Sequence, residues 1–103
     1  MTSEEFSQEV LAYIPKDNDR LRALIAERIL GVGREYEIDE NTLRVEAVQV
    51  SGLIRDLEEE LVDAIVYAAA LDMRMMDGML LIIGYLRRAH VALVEFDTES
   101  DND

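Results

Sequence analysis

The chain has 103 residues, one proline and no cysteine, and 23 acidic against 10 basic residues give it a formal charge of −13. Half of it is apolar, enough for a packed core in one small domain, so wholesale disorder is excluded. The acid excess repels phosphate backbones and argues against nucleic-acid binding. The missing cysteines exclude disulfides and thiolate metal sites.

The Met1-Thr2-Ser3-Glu4-Glu5 start lacks the basic and apolar regions of a secretion signal. The longest apolar run, Gly78 to Leu86, is too short to span a bilayer. A cytoplasmic setting without membrane contact is therefore expected. Nine of the ten basic residues are arginine, Lys16 being the exception.

In chain order, Ser3 is a candidate N-cap for a short amphipathic helix through Phe6, Val10, Leu11 and Ile14, which Pro15 ends. A second start at Asp17 to Asp19 leads into Leu21, Leu24, Ile25, Ile29 and Val32 at helical spacing, through about Tyr36. Gly31 and Gly33 lie inside that pattern and either thin the helix for close packing or mark where it frays. Glu37 to Asn41 reads as a polar turn. Leu43, Val45 and Ala47 alternate as in a strand. Yet Leu43, Ala47, Val50, Ile54, Leu57 and Leu61 form a helical stripe that continues through Ala64, Ala68, Leu71 and Met75, which favours helix. Unbroken from Thr42 to Met76 it would be roughly 50 Å long, with Gly52 the expected interruption. Met76-Asp77-Gly78 then makes a turn into a last helix ending near Phe96. The expected architecture is all-α, a three- to four-helix bundle with a long central helix. Residues 1–96 form one domain in this reading, and 97–103 an acidic flexible tail.

The long helix carries apolar residues on two faces. Leu57, Leu61, Ala64, Ala68 and Leu71 form one, and Val62, Val66, Ala69 and Met73 the other. A helix apolar round most of its circumference needs cover on two sides. Either the chain's other helices supply it, or a homo-oligomer (dimer or tetramer) does.

The chemistry-bearing segment is Glu58-Glu59-Glu60-Leu61-Val62-Asp63-Ala64-Ile65-Val66-Tyr67. Asp63 is the only charge between Leu61 and Leu71. Asp56, Glu60, Asp63 and Tyr67 share a stripe roughly 60° wide at 100° per residue, with Glu59 beside it. Glu60 and Asp63, one turn apart, are able to share a Mg²⁺ ion. The plainer alternative, a solvated acidic helix start, accounts for Asp56, Glu58 and Glu59 better than for Asp63. Arg34, Arg55, Arg74, Arg87 and Arg88 are candidate phosphate clamps, and Arg74 falls on the carboxylate stripe. For any one of them, pairing with surface acids is the commoner role. Tyr67, one turn beyond Asp63, either stacks on a base or packs with its hydroxyl at the rim. His90 has no second histidine or cysteine to make a zinc site. The Gly31–Gly33 pair lacks the context of a dinucleotide fingerprint or P-loop.

The run Glu59-Glu60-Leu61-Val62-Asp63-Ala64-Ile65-Val66-Tyr67-Ala68-Ala69 resembles the E-E-L-x-D-[A/V]-x-x-Y helix of MazG-like nucleotide pyrophosphohydrolases, all-α enzymes with many small bacteriophage members. Ile25 to Ile29 and Gly33-Arg34-Glu35-Tyr36 resemble the segment before that motif, so the likeness covers about residues 20–76. It implies Glu60 and Asp63 as Mg²⁺ ligands and Glu59 as a further ligand or an orienter of the attacking water. The function it implies is Mg²⁺-dependent hydrolysis of nucleoside triphosphates to monophosphate and pyrophosphate, or nucleotide binding by a degenerate relative. The chain departs from the family in having no EExxE motif upstream, where Glu27 and Glu35 are the only acids. Glu37 stands where glycine follows the tyrosine. Asp72, Arg74 and Asp77 occupy the region of a lysine and asparagine found in fuller members. The competing expectation is a non-enzymatic acidic phage protein that binds a basic host protein or mimics DNA.

Overall fold

The computed structural model describes residues 1–75 and 78–101. It is mostly helical, with five helices and one two-stranded sheet among those residues. In order these are α1 (Ser3–Leu11), α2 (Asp19–Leu30), β1 (Glu37–Asp39), β2 (Thr42–Leu43), α3 (Arg44–Ala47), α4 (Val50–Met75) and α5 (Leu80–Asp101). The chain divides into two compact units, Met1–Val48 and Gln49–Asp103.

In the first unit α1 starts on a capping box. Thr2 Oγ1 accepts from the Glu5 N–H at 3.2 Å, while the Glu5 carboxylate accepts from the Thr2 N–H. The cap is thus Thr2, one residue before the expected Ser3. Ser3 is fully buried instead and donates its hydroxyl to Glu37 of β1. At the other end, Arg22 of α2 donates to the carbonyls of Leu11 and Ile14, both at 2.8 Å, satisfying groups that a helix end leaves open.

The second helix stops at Leu30, short of the expected Tyr36. Gly31 leaves the helix in an extended conformation, and a Cβ there would collide with the Glu27 carbonyl oxygen. Gly33 follows at φ 91°, and Arg34 at φ 42° is also left-handed. Of the two roles open to these glycines, ending the helix is the one observed.

The expected helix over 43–50 is replaced by a hairpin and a single helical turn. Asp39 accepts from the Asn41 N–H at 2.9 Å, folding the polar turn locally so that β1 pairs antiparallel with β2, Glu37 opposite Leu43. Leu43, fully buried, anchors the strand, and Ile29 joins it in the core. The helical phase is broken at Val48, which is extended, rather than at Gly52. Gly52 lies in the first turn of α4, its N–H bonded to the Gln49 carbonyl. The long helix is therefore 26 residues, about 39 Å.

Two carboxylates of the first unit are held below their ordinary range. Glu4 is lowered by a backbone N–H and then by Arg34, whose guanidinium lies 2.9 Å away. Asp39 is lowered by the Asn41 N–H and then by the Thr42 side chain. Lowered values mean stabilisation that is present above the ordinary carboxylate pKa and lost as pH falls through the folded-state value.

In the second unit α4 and α5 pack as an antiparallel hairpin. Near the start of α4, Glu58 meets His90 of α5 at 2.7 Å. Near its end, the Asp72 carboxylate accepts from the N–H groups of Gly78 and Met79, at 3.1 and 3.2 Å, capping the start of α5. Met76 and Asp77, in the expected turn, lie outside the described residues. The last helix runs on to Asp101, past the expected end at Phe96.

Three outcomes check this account by thermal unfolding. Gly31→Ala should cost about 1 kcal/mol or more, because its Cβ meets backbone. Gly84→Ala should stabilise by roughly 0.5–1 kcal/mol, since its Cβ finds only Arg88 Nη2 at 3.7 Å within α5. Glu4→Gln and Asp39→Asn should each reduce the loss of stability below about pH 4.

Candidate functional site

The side of α4 turned toward α5 is fixed by three residues seven apart. Glu58 holds His90, Ile65 shares a cleft with Gly84 and Val91, and Asp72 caps α5. Spaced by sevens, these three drift only about 40° around the helix. Asp63 stands about 160° from Ile65, with Tyr67 and Arg74 within about 40° of Asp63 and Glu60 about 60° from it. The carboxylate stripe therefore points away from α5, and α5 contributes no ligand to it.

Glu59, Glu60 and Asp63 are all exposed. Among the described residues none of the three has a hydrogen-bond or ion-pair partner. Glu58, next to them in the chain, pairs with His90. That imidazole thus links the two helices. Among the described residues, no three histidine, cysteine, aspartate or glutamate side chains converge to hold a metal ion. A pair of carboxylates is nevertheless the usual protein share of a Mg²⁺–nucleotide site, because Mg²⁺ keeps several waters and takes further oxygens from substrate phosphates. The donor set of Glu60 and Asp63 fits that cation.

Tyr67 is 72% exposed, so it is not a core aromatic, and its ring is open for stacking. Arg74 shares the stripe but stands about 16 Å along the axis from Asp63, with Tyr67 between them. A phosphate bound beside Asp63 lies beyond its reach. Arg34 belongs to the first unit, where it pairs with Glu4 at 2.9 Å and with Glu37 at 3.7 Å. The structure thus brings Glu59, Glu60, Asp63 and Tyr67 together on one exposed surface and gives Arg34 a structural tie.

The second apolar face of α4 is open within the chain. Val62 is 49%, Val66 60% and Met73 82% exposed. On α5, Ile82, Tyr85 and Phe96 are also about half exposed or more, spaced near-heptad with Ala89 and Ala92 between them. The residues that sequence reasoning passed over are Asp72 and Glu58, which set the helix pairing. Their signal was a spacing of seven around the apolar Ile65.

No family model, no curated protein and no solved structure matches the chain. No described helix is long and apolar enough to cross a membrane.

Because Asp63 is exposed beside two glutamates on the same face, Asp63→Asn should leave the thermal midpoint unchanged or raise stability by about 0.2–0.5 kcal/mol through relief of like-charge repulsion. A clear fall in the midpoint would mean that the carboxylate is structural.

Proposed function

We propose that the α4–α5 unit is a Mg²⁺-dependent nucleoside triphosphate pyrophosphohydrolase of MazG-like type, acting in the cytoplasm. The observation that carries this reading is Glu60 and Asp63, one turn apart, exposed and without a counter-charge among the described residues, on a helix apolar on its other sides. Nothing about helix stability requires an aspartate at that point, and a hard divalent cation is what two such oxygens suit.

Glu60 and Asp63 would hold the cation, which would supply positive charge against the phosphates and acidity for the attacking water. Glu59, on the same edge, orients the water that attacks the α-phosphorus. Pyrophosphate leaves with the electron pair of the α–β bridging bond, and the water's proton passes to solvent or a carboxylate. Tyr67, one turn along, offers its exposed ring to the base. The protein's share of catalysis is positioning and charge, with no covalent intermediate.

The same unit assembles as a dimer or tetramer. The open face of Val62, Val66 and Met73 supplies the apolar seam, and two hairpins packed together make a four-helix bundle. Such packing is also the available source of further ligands, since α5 of the same chain faces the other way.

Pyrophosphate release from a panel of dNTPs, with and without Mg²⁺, tests the reading. Turnover should require the cation, and Asp63→Asn and Glu60→Gln should each lower kcat/KM by about a hundredfold or more with folding intact. Absence of turnover and of any Mg²⁺-dependent thermal shift with nucleotide would sink it. The acidic surface would then be left as a binding face for a basic protein.

A further inference from the structure

On the hairpin's flank, well round α4 from the carboxylate stripe, a cleft of about 420 Å³ lies between the two helices. Ile65 comes from α4, and Gly84, Arg87, Arg88, His90 and Val91 from α5. Its chemistry is the opposite of the molecule's. In a chain of charge −13, Arg87, Arg88 and His90 put three basic side chains within four residues. With 23 acids available, neither arginine is paired with a carboxylate among the described residues.

The arginines are also arranged. The Arg88 guanidinium lies over the Tyr85 ring, 4.9 Å from its centroid, and its Nε–H donates to the Gly84 carbonyl at 3.3 Å. Those contacts hold the group at the cleft while leaving its terminal N–H groups for a ligand. Arg87 stands one turn from Val91 and from His90, so its side chain has the same cleft in reach. His90 is fixed by Glu58, which closes the His90 end to anions and confines the positive field to the two arginines. Gly84 keeps the wall low, and Ile65 and Val91 add apolar surface beside the charges.

We propose that this cleft is an anion site for a phosphate or polyphosphate group, bound by Arg87 and Arg88 without a metal. It is separate from the proposed Mg²⁺ site, because Ile65 and Asp63 lie about 160° apart around α4. Planar guanidinium groups make paired hydrogen bonds to phosphate oxygens, and the apolar wall accommodates the remainder of an organic phosphate.

The test is calorimetric titration of the full chain with inorganic pyrophosphate in EDTA, and in parallel with ADP. Saturable binding at one site per chain is expected. Arg87→Ala and Arg88→Ala should each weaken it by about tenfold or more. Gly84→Leu should block it by filling the cleft, and Asp63→Asn should leave it in place. Tighter binding of ADP than of pyrophosphate assigns an organic phosphate, and equal binding assigns the inorganic group. No saturable binding without metal overturns the proposal, as does binding that survives both arginine substitutions or is lost with Asp63. Since Mg²⁺ is absent throughout, failure here and failure of the hydrolase reading are separate results. If Gly84→Leu unfolds, the two exposed arginine variants decide the matter.

Discussion

The pairing of α4 with α5 is governed by a stripe of three dissimilar residues. Glu58 hydrogen-bonds His90, Ile65 lines a cleft with Gly84 and Val91 of α5, and Asp72 accepts from the N–H groups just ahead of α5. Apolar packing alone would leave α4 free to choose among faces, because valine, leucine and alanine occur around most of it. Hydrogen bonds are directional where hydrophobic contact is not. The two polar residues at either end of the stripe therefore select one face of a nearly all-round apolar helix. Every other property of the unit follows from that choice. The carboxylates are turned out, one apolar seam is left open, and the arginines of α5 are brought beside an apolar wall.

Two surfaces of opposite charge thus sit on one short hairpin. The carboxylate face suits a cation and whatever the cation carries, while the arginine cleft suits an anion directly. Their separation around α4 keeps the charges from cancelling, which placement on one face would have allowed. In the first unit the opposite holds: Arg34 is held between Glu4 and Glu37, and its charge is spent on holding α1 to the hairpin.

The helical class and the span of the long helix's second half were legible from periodicity alone, since Leu61 through Leu71 repeat without interruption. The stretch from Gly31 to Val48 was not. There the same residues satisfy two periods, and the decision falls to local hydrogen bonds that periodicity does not register. Asp39 folding onto the Asn41 N–H, and Leu43 committing to the core, outweigh a helical stripe that continues only on paper. For the site, spacing put Glu60, Asp63 and Tyr67 on one surface. It left open which way that surface points, because direction depends on Glu58 and Asp72, whose partners are up to 32 residues away.

The Asp72 cap also bears on how the chain folds. Its acceptor belongs to the last turns of one helix and its donors lie just ahead of the next, so the bonds tie the end of α4 to the start of α5. The contact spans only six or seven residues. Closing so short a loop costs little entropy, and contacts this local form early in folding. The tip of the hairpin thus carries a local polar tie of its own, distinct from the long-range bond between Glu58 and His90 farther along the helices.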